Sequence, residues 1–363
     1  MPVSRLTTEG MADEVAAVYA RAEVRLLSLI AKHLEQGHES PDWAEAKLAE
    51  LQLFRRRAGG IMTAAHSEAV GELTASLARA YNRGQAAGQG DLDKLGRDLD
   101  LPPQQAERAV EALASAMRER FDGMRLAVVR QAEDAYRAAV TRAVGGTLTG
   151  SATRLQDAQV ALDDLARRGV SGFTDTAGRR WGLTAYVEMA TRTTTAQAAV
   201  NGHLDRLDQA GIPLVIVSDS PRECETCRPW EGKVLSRGPV SAIQTDATTG
   251  ERIRVDVDGT VDQATAGGLF HPNCTHNLSA YVPGATRAGE ATSNPTGFAE
   301  RQEQRRLERG VREWKRRQAA AMTPEAKRKA DAKVAEWQGR VRAHTSATGL
   351  PRKYNREGLT QAR

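Results

Sequence analysis

Cys224-Glu-Thr-Cys227-Arg-Pro-Trp230-Glu-Gly232 and His271-Pro-Asn-Cys274-Thr-His276 hold all three cysteines of the chain and two of its seven histidines. A Cys-x-x-Cys turn places two sulfurs on one tight bend, and the His-x-x-Cys-x-His run offers a second cluster of donors. Such a two-plus-two set suits a tetrahedral zinc ion, with Cys224, Cys227 and Cys274 joined by His271 or His276. Between Cys227 and Cys274 lie 46 residues, too many for a compact finger, so a metal here ties two separated strands or loops. Three other readings stand beside zinc: a redox Cys-x-x-Cys, a single disulfide, and three unliganded thiols. Trp230 reads as a core plug beside the turn.

The flanks of these two stretches read as a small sheet. Leu214-Val-Ile-Val217 is a β-branched apolar run of the kind a buried strand needs, and Ser218-Asp219-Ser220-Pro221 is a turn delivering the chain to Cys224. Gly232–Ser236 and Ile253–Val257 read as further strands, the latter with period-two alternation, and Asn277–Val282 as the last, closed by Pro283-Gly284. The rest of 237–268, rich in Gly, Thr and Asp, reads as a loop or hairpin excursion. Upstream, Gly169, Gly172, Gly178 and Gly182 punctuate a turn-rich segment around Arg179-Arg180-Trp181, and Leu183–His203 is helical, closed by Gly211-Ile-Pro213. Glu188 and Arg192, four apart on that helix, read as an ion pair. Residues 169–283 therefore form a compact α+β unit.

Residues 1–168 read as a long helical region. Val15, Tyr19, Ala22, Leu26 and Ile30 recur at helical spacing until Gly37. Ser40-Pro41 reads as an N-cap followed by proline, opening a helix through Trp43, Leu48, Leu51 and Phe54 that Gly59-Gly60 ends. A third helix spans about 61–81, after which Gly84, Gly88 and Gly90 loosen the chain. Asp100-Leu-Pro-Pro103 marks another start, with a helix from Gln104 to about Val144 whose stripe is Leu126, Val129, Tyr136 and Val140. Gly145-Gly146 breaks it before a short helix, Leu155–Arg168. These thin stripes are packing faces, and His33, His38 and His66 read as structural or exposed.

Residues 284–297 are a linker by composition, followed by a basic helical tail, 298–363. Its first helix carries Leu307, Val311 and Trp314 on a narrow stripe, Thr323-Pro324 caps a second with Ala330, Val334, Trp337 and Val341, and the last fifteen residues read as loose. From Arg301 to Arg363 there are 18 Lys and Arg against 7 Asp and Glu, leaving 33 against 39 in residues 1–300. A basic tail on a mildly acidic body points to a polyanion or an acidic protein surface, with Arg305, Arg306, Arg309, Lys315, Arg316 and Arg317 as the nucleic-acid-binding residues. A solvated helical face is the bland alternative.

Aromatic residues make up only 4% of the chain, which with abundant Ala, Arg and Glu favours helix. The class that results is α+β, mostly α. Three cysteines do not make a secreted disulfide scaffold, and no apolar run is long enough for a signal peptide or a membrane span.

Four separate blocks, in order, carry a resemblance: Tyr186-x-Glu-Met-Ala-x-Arg192-Thr193, Leu214-Val-Ile-Val-Ser-Asp219, Cys224-x-x-Cys227-x-Pro-Trp230-x-Gly232-Lys-Val-Leu-Ser, and Gly268-Leu-Phe-His271-Pro-Asn273-Cys274-x-His276. Together they resemble phage minor capsid proteins of the Mu protein F-like head-morphogenesis group, as do the N-terminal helices with Trp43 and the tail pattern from Arg301 to Arg317. The resemblance implies a structural virion protein inside the capsid near the portal vertex of a tailed phage. It would act in head morphogenesis and in DNA packaging or ejection, and pass through the host cytoplasm during assembly. Its partners would be the portal and other capsid proteins, packaged double-stranded DNA through the tail, and further copies of itself. A metal-dependent His/Cys-type nuclease or toxin-like enzyme is the rival: His271, His276 and Asn277 lie beside a cysteine pair, but Asp219 is the one well-placed acid. An ADP-ribosyl transferase or protease centred on Glu188 and Arg192 has less behind it, and no Gly-x-Ser-x-Gly or phosphate-cradling loop is present.

Overall fold

A computed structural model describes residues 5–97, 107–149, 153–170, 173–174, 178, 180–220, 222–272, 274–287, 289 and 291–359. The expected start at Asp100–Pro103, together with Gly150, Gly172, Arg179, Pro221 and Asn273, lies outside the described residues. The structure is mostly helical with small sheets, the class expected. Helix α1 spans Arg5–Glu35, α2 Trp43–Ala49, α3 Leu51–Lys94, α4 Glu107–Thr149 and α5 Arg154–Arg168. The short strands β1 (Phe173–Thr174) and β2 (Arg180–Trp181) pair antiparallel before α6, Leu183–Gln209. Then come β3 (Leu214–Val217), β4 (Val234–Ser236), β5 (Ile243–Thr245), β6 (Arg252–Arg254), β7 (Gly259–Thr260), α7 (Val261–Ala266) and β8 (Leu278–Ala280). Helices α8 (Pro295–Ala319), α9 (Pro324–Thr348) and α10 (Tyr354–Glu357) follow.

The chain divides into two compact units that each draw on distant segments. One gathers Met1–Asp13, Glu72–Met117 and Met189–Glu300; the other gathers Glu14–Gly71, Arg118–Glu188 and Arg301–Arg363.

The first unit is built on a four-stranded sheet in the order β7-β4-β3-β8. Central β3 runs antiparallel to both β4 and β8, and β4 runs parallel to β7. One face of the sheet buries Val215, Val217, Leu235, Leu278 and Ala280 against Val200, Leu204 and Leu207 of α6 and Val261 and Ala264 of α7. The other face buries Leu214 and Val234 with Val255. Covered on both sides, all four residues of β3 are buried, which is why its sequence is unbroken apolar instead of alternating. The expected third strand, Ile253–Val257, lies outside this sheet: β6 pairs with β5 in a separate hairpin.

Several glycines read as breaks lie inside helices. Helix α3 runs through Gly59, Gly60, Gly84, Gly88 and Gly90 without interruption, and α4 runs through Gly145-Gly146. A glycine in a helix interior costs about 1 kcal/mol against alanine, and packing absorbs that where the backbone must come close. A Cβ on Gly84 would lie 2.0 Å from the Ala199 carbonyl oxygen of α6, and one on Gly202 would lie 2.1 Å from that of Tyr81. These glycines let α3 and α6 touch backbone to backbone. Beside that contact, Asp91 of α3 is buried and accepts from His203 Nε2 (3.1 Å), from Lys94 Nζ (3.1 Å) and from the Ala280 backbone N–H (3.0 Å) of edge strand β8. Those contacts outweigh burial and hold its carboxyl below the ordinary range.

In the second unit, the residue before α2 is Asp42, which makes no side-chain cap bond, so Ser40-Pro41 does not open that helix. Trp43 sets the start: its ring is buried and its indole N–H donates to the Leu34 carbonyl (3.2 Å). Thr153 and Gln156 form a full capping box at the start of α5. The buried stripe of this part of α4 is Phe121, Met124, Val128, Ala132 and Tyr136, whereas Leu126, expected on it, is exposed. Phe54 stacks on Tyr136 at 4.7 Å and Tyr19 meets Phe121 edge-on at 5.2 Å. The last fifteen residues, expected to be loose, are described as far as 359 and are tied down. Arg352 pairs with Glu357 (2.6 Å), the Pro351 carbonyl accepts from Gln304 (3.0 Å), and that of Arg356 accepts from Arg312 (2.9 Å).

The glycine argument separates two substitutions. Gly84→Ala has no room and is expected to destabilise by about 1–3 kcal/mol or more. Gly60→Ala, exposed with nothing within 4 Å, is expected to stabilise by about 0.5–1 kcal/mol. Chemical denaturation of the two purified variants beside the parent protein checks both signs.

Candidate metal centre

The sheet topology brings the two donor stretches together. Because β3 is antiparallel to both neighbours, β4 and β8 both begin at the end where β3 finishes. The Cys224–Gly232 segment leads into β4 and the His271–His276 segment into β8, so each arrives at that end of the sheet. Hydrogen bonds continue past β3 on both sides: Gly232 N–H donates to the Val217 carbonyl (3.1 Å) and Ser218 N–H to that of Asn277 (2.9 Å). The separation of 46 residues along the chain becomes ligand distance in space.

Five donors form two triads sharing Cys227: Cys224, Cys227 and His271 in one, Cys227, Cys274 and His276 in the other, with the donor atoms of each within 4.8 Å of one another. Cys224 Sγ lies 2.8 Å from His271 Nε2, Cys227 Sγ 3.4 Å from Cys274 Sγ, and Cys274 Sγ 3.3 Å from His276 Nδ1. Ligand–ligand edges of about 3.5–3.8 Å follow from tetrahedral bonds to zinc of about 2.0–2.3 Å. Each triad, two thiols with an imidazole, offers donors that suit a borderline-soft cation, and the three cysteines are not joined by a disulfide. Cys227 is buried, and Cys224, Cys274, Trp230 and Phe270 pack partly buried on the sheet's apolar core. Trp230 thus sits where a core plug was expected.

The electrostatics centre on Cys274. The contact with Cys227, with help from His276, outweighs burial and draws the Cys274 thiol down to about 4. The same contact and burial push the Cys227 thiol up. Burial alone would lower His276, but Cys274 and Glu231 together raise it. His276 Nε2 lies 2.5 Å from Glu231 Oε1, and both side chains are almost fully buried. No spacing rule marks Glu231 in the sequence; only the fold makes it a neighbour of His276. Asp219 holds the Thr292 backbone and hydroxyl (3.0 and 2.8 Å). Both ring nitrogens of His271 are engaged, the second with the Pro272 carbonyl at 2.8 Å. The nuclease reading needs one of them to turn to a water.

The six cations assigned to nucleic acid have different surroundings. Arg306 and Arg309 are exposed, Arg306 pairing with Glu303 at 2.7 Å, and Arg305 is half-buried. Lys315 is half-buried, and burial lowers its ammonium against the opposing pull of Glu357. Arg316 donates to the Ala166 carbonyl at the end of α5 (2.8 Å) and lies 3.9 Å from buried Glu23. Arg317 pairs with Glu313 at 2.8 Å and lies over the Trp314 ring at 4.2 Å. Lys327, Lys329 and Arg342, which the sequence reading did not single out, are exposed on α9. Glu188 and Arg192, the suggested enzymatic pair, meet Arg312 (3.5 Å) and Asp13 (2.7 Å) respectively.

The sequence model of the family described as phage minor capsid protein 2 matches residues 5–346. The chain belongs to that family. No curated protein and no solved structure matches it. The minor capsid kinship read from four blocks is therefore shown, and the match covers nearly the whole chain, from the start of α1 to near the end of α9. Among the described residues of this minor capsid protein, no helix is long and apolar enough to cross a membrane.

If the five donors hold a metal, replacing two of them should cost stability. Cys224→Ser with Cys227→Ser is expected to abolish bound zinc, near one per chain in the parent, and to lower its melting temperature. Elemental analysis and a thermal scan check this; an unchanged melting temperature with no metal in either protein rejects the site.

Proposed function

We propose that this minor capsid protein is a structural part of a tailed-phage head. It acts at the portal vertex, in contact with portal and other capsid proteins, in head morphogenesis and in DNA packaging or ejection. The observation that carries the reading is the family match over residues 5–346, which spans segments of both compact units. Zinc held by the Cys/His group would lock the end of the small sheet, and binding energy at such a site is folding energy. The donor chemistry supports that role. Exposed cations of α8 and α9, Arg306, Arg309, Lys327, Lys329 and Arg342, would lie against packaged DNA, and the charge asymmetry of the chain supports that. On this reading the protein resides inside the capsid near the portal, after assembly in the host cytoplasm, and self-association is compatible with it.

Quantitative mass spectrometry of purified virions tests the structural role: a few copies per particle, cross-linking to portal protein, are expected, and absence from mature and immature heads overturns it. The DNA contact has its own signature. Each phosphate-contacting cation adds roughly 0.9 to the slope of log affinity against log salt. Arg309→Gln with Lys327→Gln and Lys329→Gln is expected to flatten that slope by about two to three, as read by fluorescence anisotropy on a duplex. Arg316→Ala is expected to lower the melting temperature and leave the slope unchanged, because its guanidinium serves the end of α5.

A further inference from the structure

Both histidines neighbour a sulfur, and the local geometry separates their roles. The chain makes two matching turns at the site. In Cys224-x-x-Cys227 the Cys227 N–H donates to the Cys224 carbonyl at 3.2 Å, and in His271-x-x-Cys274 the Cys274 N–H donates to the His271 carbonyl at 2.8 Å. The turns face each other donor to donor, Cys224 against His271 and Cys227 against Cys274. His271 is presented by backbone under strain: Phe270 has φ +61°, the one non-glycine residue at positive φ among the described residues, and Gly268 before it has φ +104°. A bulky residue held in that region persists only where its surroundings demand it. The Nδ1 of His271 is taken by the Pro272 carbonyl at 2.8 Å, which leaves Nε2, the atom facing Cys224, as the donor.

His276 is placed otherwise. Its Nε2 meets the buried Glu231 carboxylate at 2.5 Å, its Nδ1 faces Cys274 Sγ at 3.3 Å, and its own backbone N–H points at the same sulfur at 3.4 Å. A backbone N–H aimed at a ligand sulfur, on a residue whose ring is clamped by a buried carboxylate, is the arrangement of an outer-shell donor, which orients a ligand and tempers its charge.

We propose that one zinc ion is held by the two facing turns, through Cys224 Sγ, Cys227 Sγ, His271 Nε2 and Cys274 Sγ, and that His276, clamped by Glu231, is an outer-shell donor to the Cys274 sulfur. The assignment rests on the metal reading above and goes beyond it by separating a ligand from a positioning residue. Binding spreads the Cys224–His271 pair by about 0.7 Å, from 2.8 Å toward a tetrahedral edge, and draws the two triads onto a common ion.

The test uses the full chain, purified reduced and metal-free, titrated with Co(II) and back-titrated with Zn(II). The parent is expected to take one Co(II) with the intense visible bands of tetrahedral coordination and thiolate charge transfer. His271→Ala should lose the tetrahedral bands, and His271→Cys should restore them with the red shift of an all-thiolate site. His276→Gln and Glu231→Gln should keep the parent spectrum while affinity falls by about 10- to 100-fold. The opposite pattern, parent bands in His271→Ala and an all-thiolate spectrum in His276→Cys, overturns the assignment while leaving the metal reading intact. A parent chain that takes up neither Co(II) nor Zn(II) brings down the metal reading and the assignment with it.

Discussion

Antiparallel pairing of β3 with strands on both sides is the constraint from which the small unit's chemistry follows. A central strand so flanked receives the start of each neighbour at its own finishing end. Whatever precedes β4 and β8 must therefore meet, and in this chain those segments carry every cysteine. The donors need no long-range recognition of their own; the sheet delivers them. Cys227, fully buried, is the hinge of the cluster, belonging to both triads and to the apolar core.

The helical side of the same unit depends on an approach without side chains. Gly84 and Gly202 allow α3 and α6 to meet at backbone distance, and Asp91 converts that proximity into a polar tie. Leaving a buried hydrogen-bonding group without its partner typically costs about 1–3 kcal/mol, so this carboxylate belongs to the frame of the sheet alongside the apolar residues. It also occupies a backbone N–H at the edge strand β8, a position at which sheets invite unwanted pairing.

What could be read in advance follows a physical division. Local signals were legible: the apolar run Leu214–Val217 is a buried strand, α1 follows its helical spacing, and Thr323-Pro324 opens α9. The kinship of the chain was legible too, because four motifs kept their order, and so was the suitability of the Cys/His residues as donors. Glycine was misread because its two uses look alike in one dimension. At Gly37 and Gly211 it takes positive φ and ends a helix, whereas at Gly84 it removes a side chain from a crossing. Leu126 was put on the wrong side of α4 because an alanine-rich helix offers several competing stripes. Glu231 and Asp91 could not be seen at all, since their partners lie 45 and 112 residues away. The basic tail was read by charge alone, and the fold shows that a cation such as Arg316 can be spent on an internal carbonyl.

The interleaved path of the chain has a temporal consequence. The second unit combines Glu14–Gly71 with Arg301–Arg363, where Arg316 binds the end of α5 and the Met322 N–H binds Gln159 of α5 at 2.6 Å. Those N-terminal helices leave the ribosome long before the residues that complete them. At about 5–20 residues per second, they wait tens of seconds with their apolar stripes uncovered. The second unit therefore cannot close in the order it is made: its early helices stay unfinished until Arg301–Arg363 follow them.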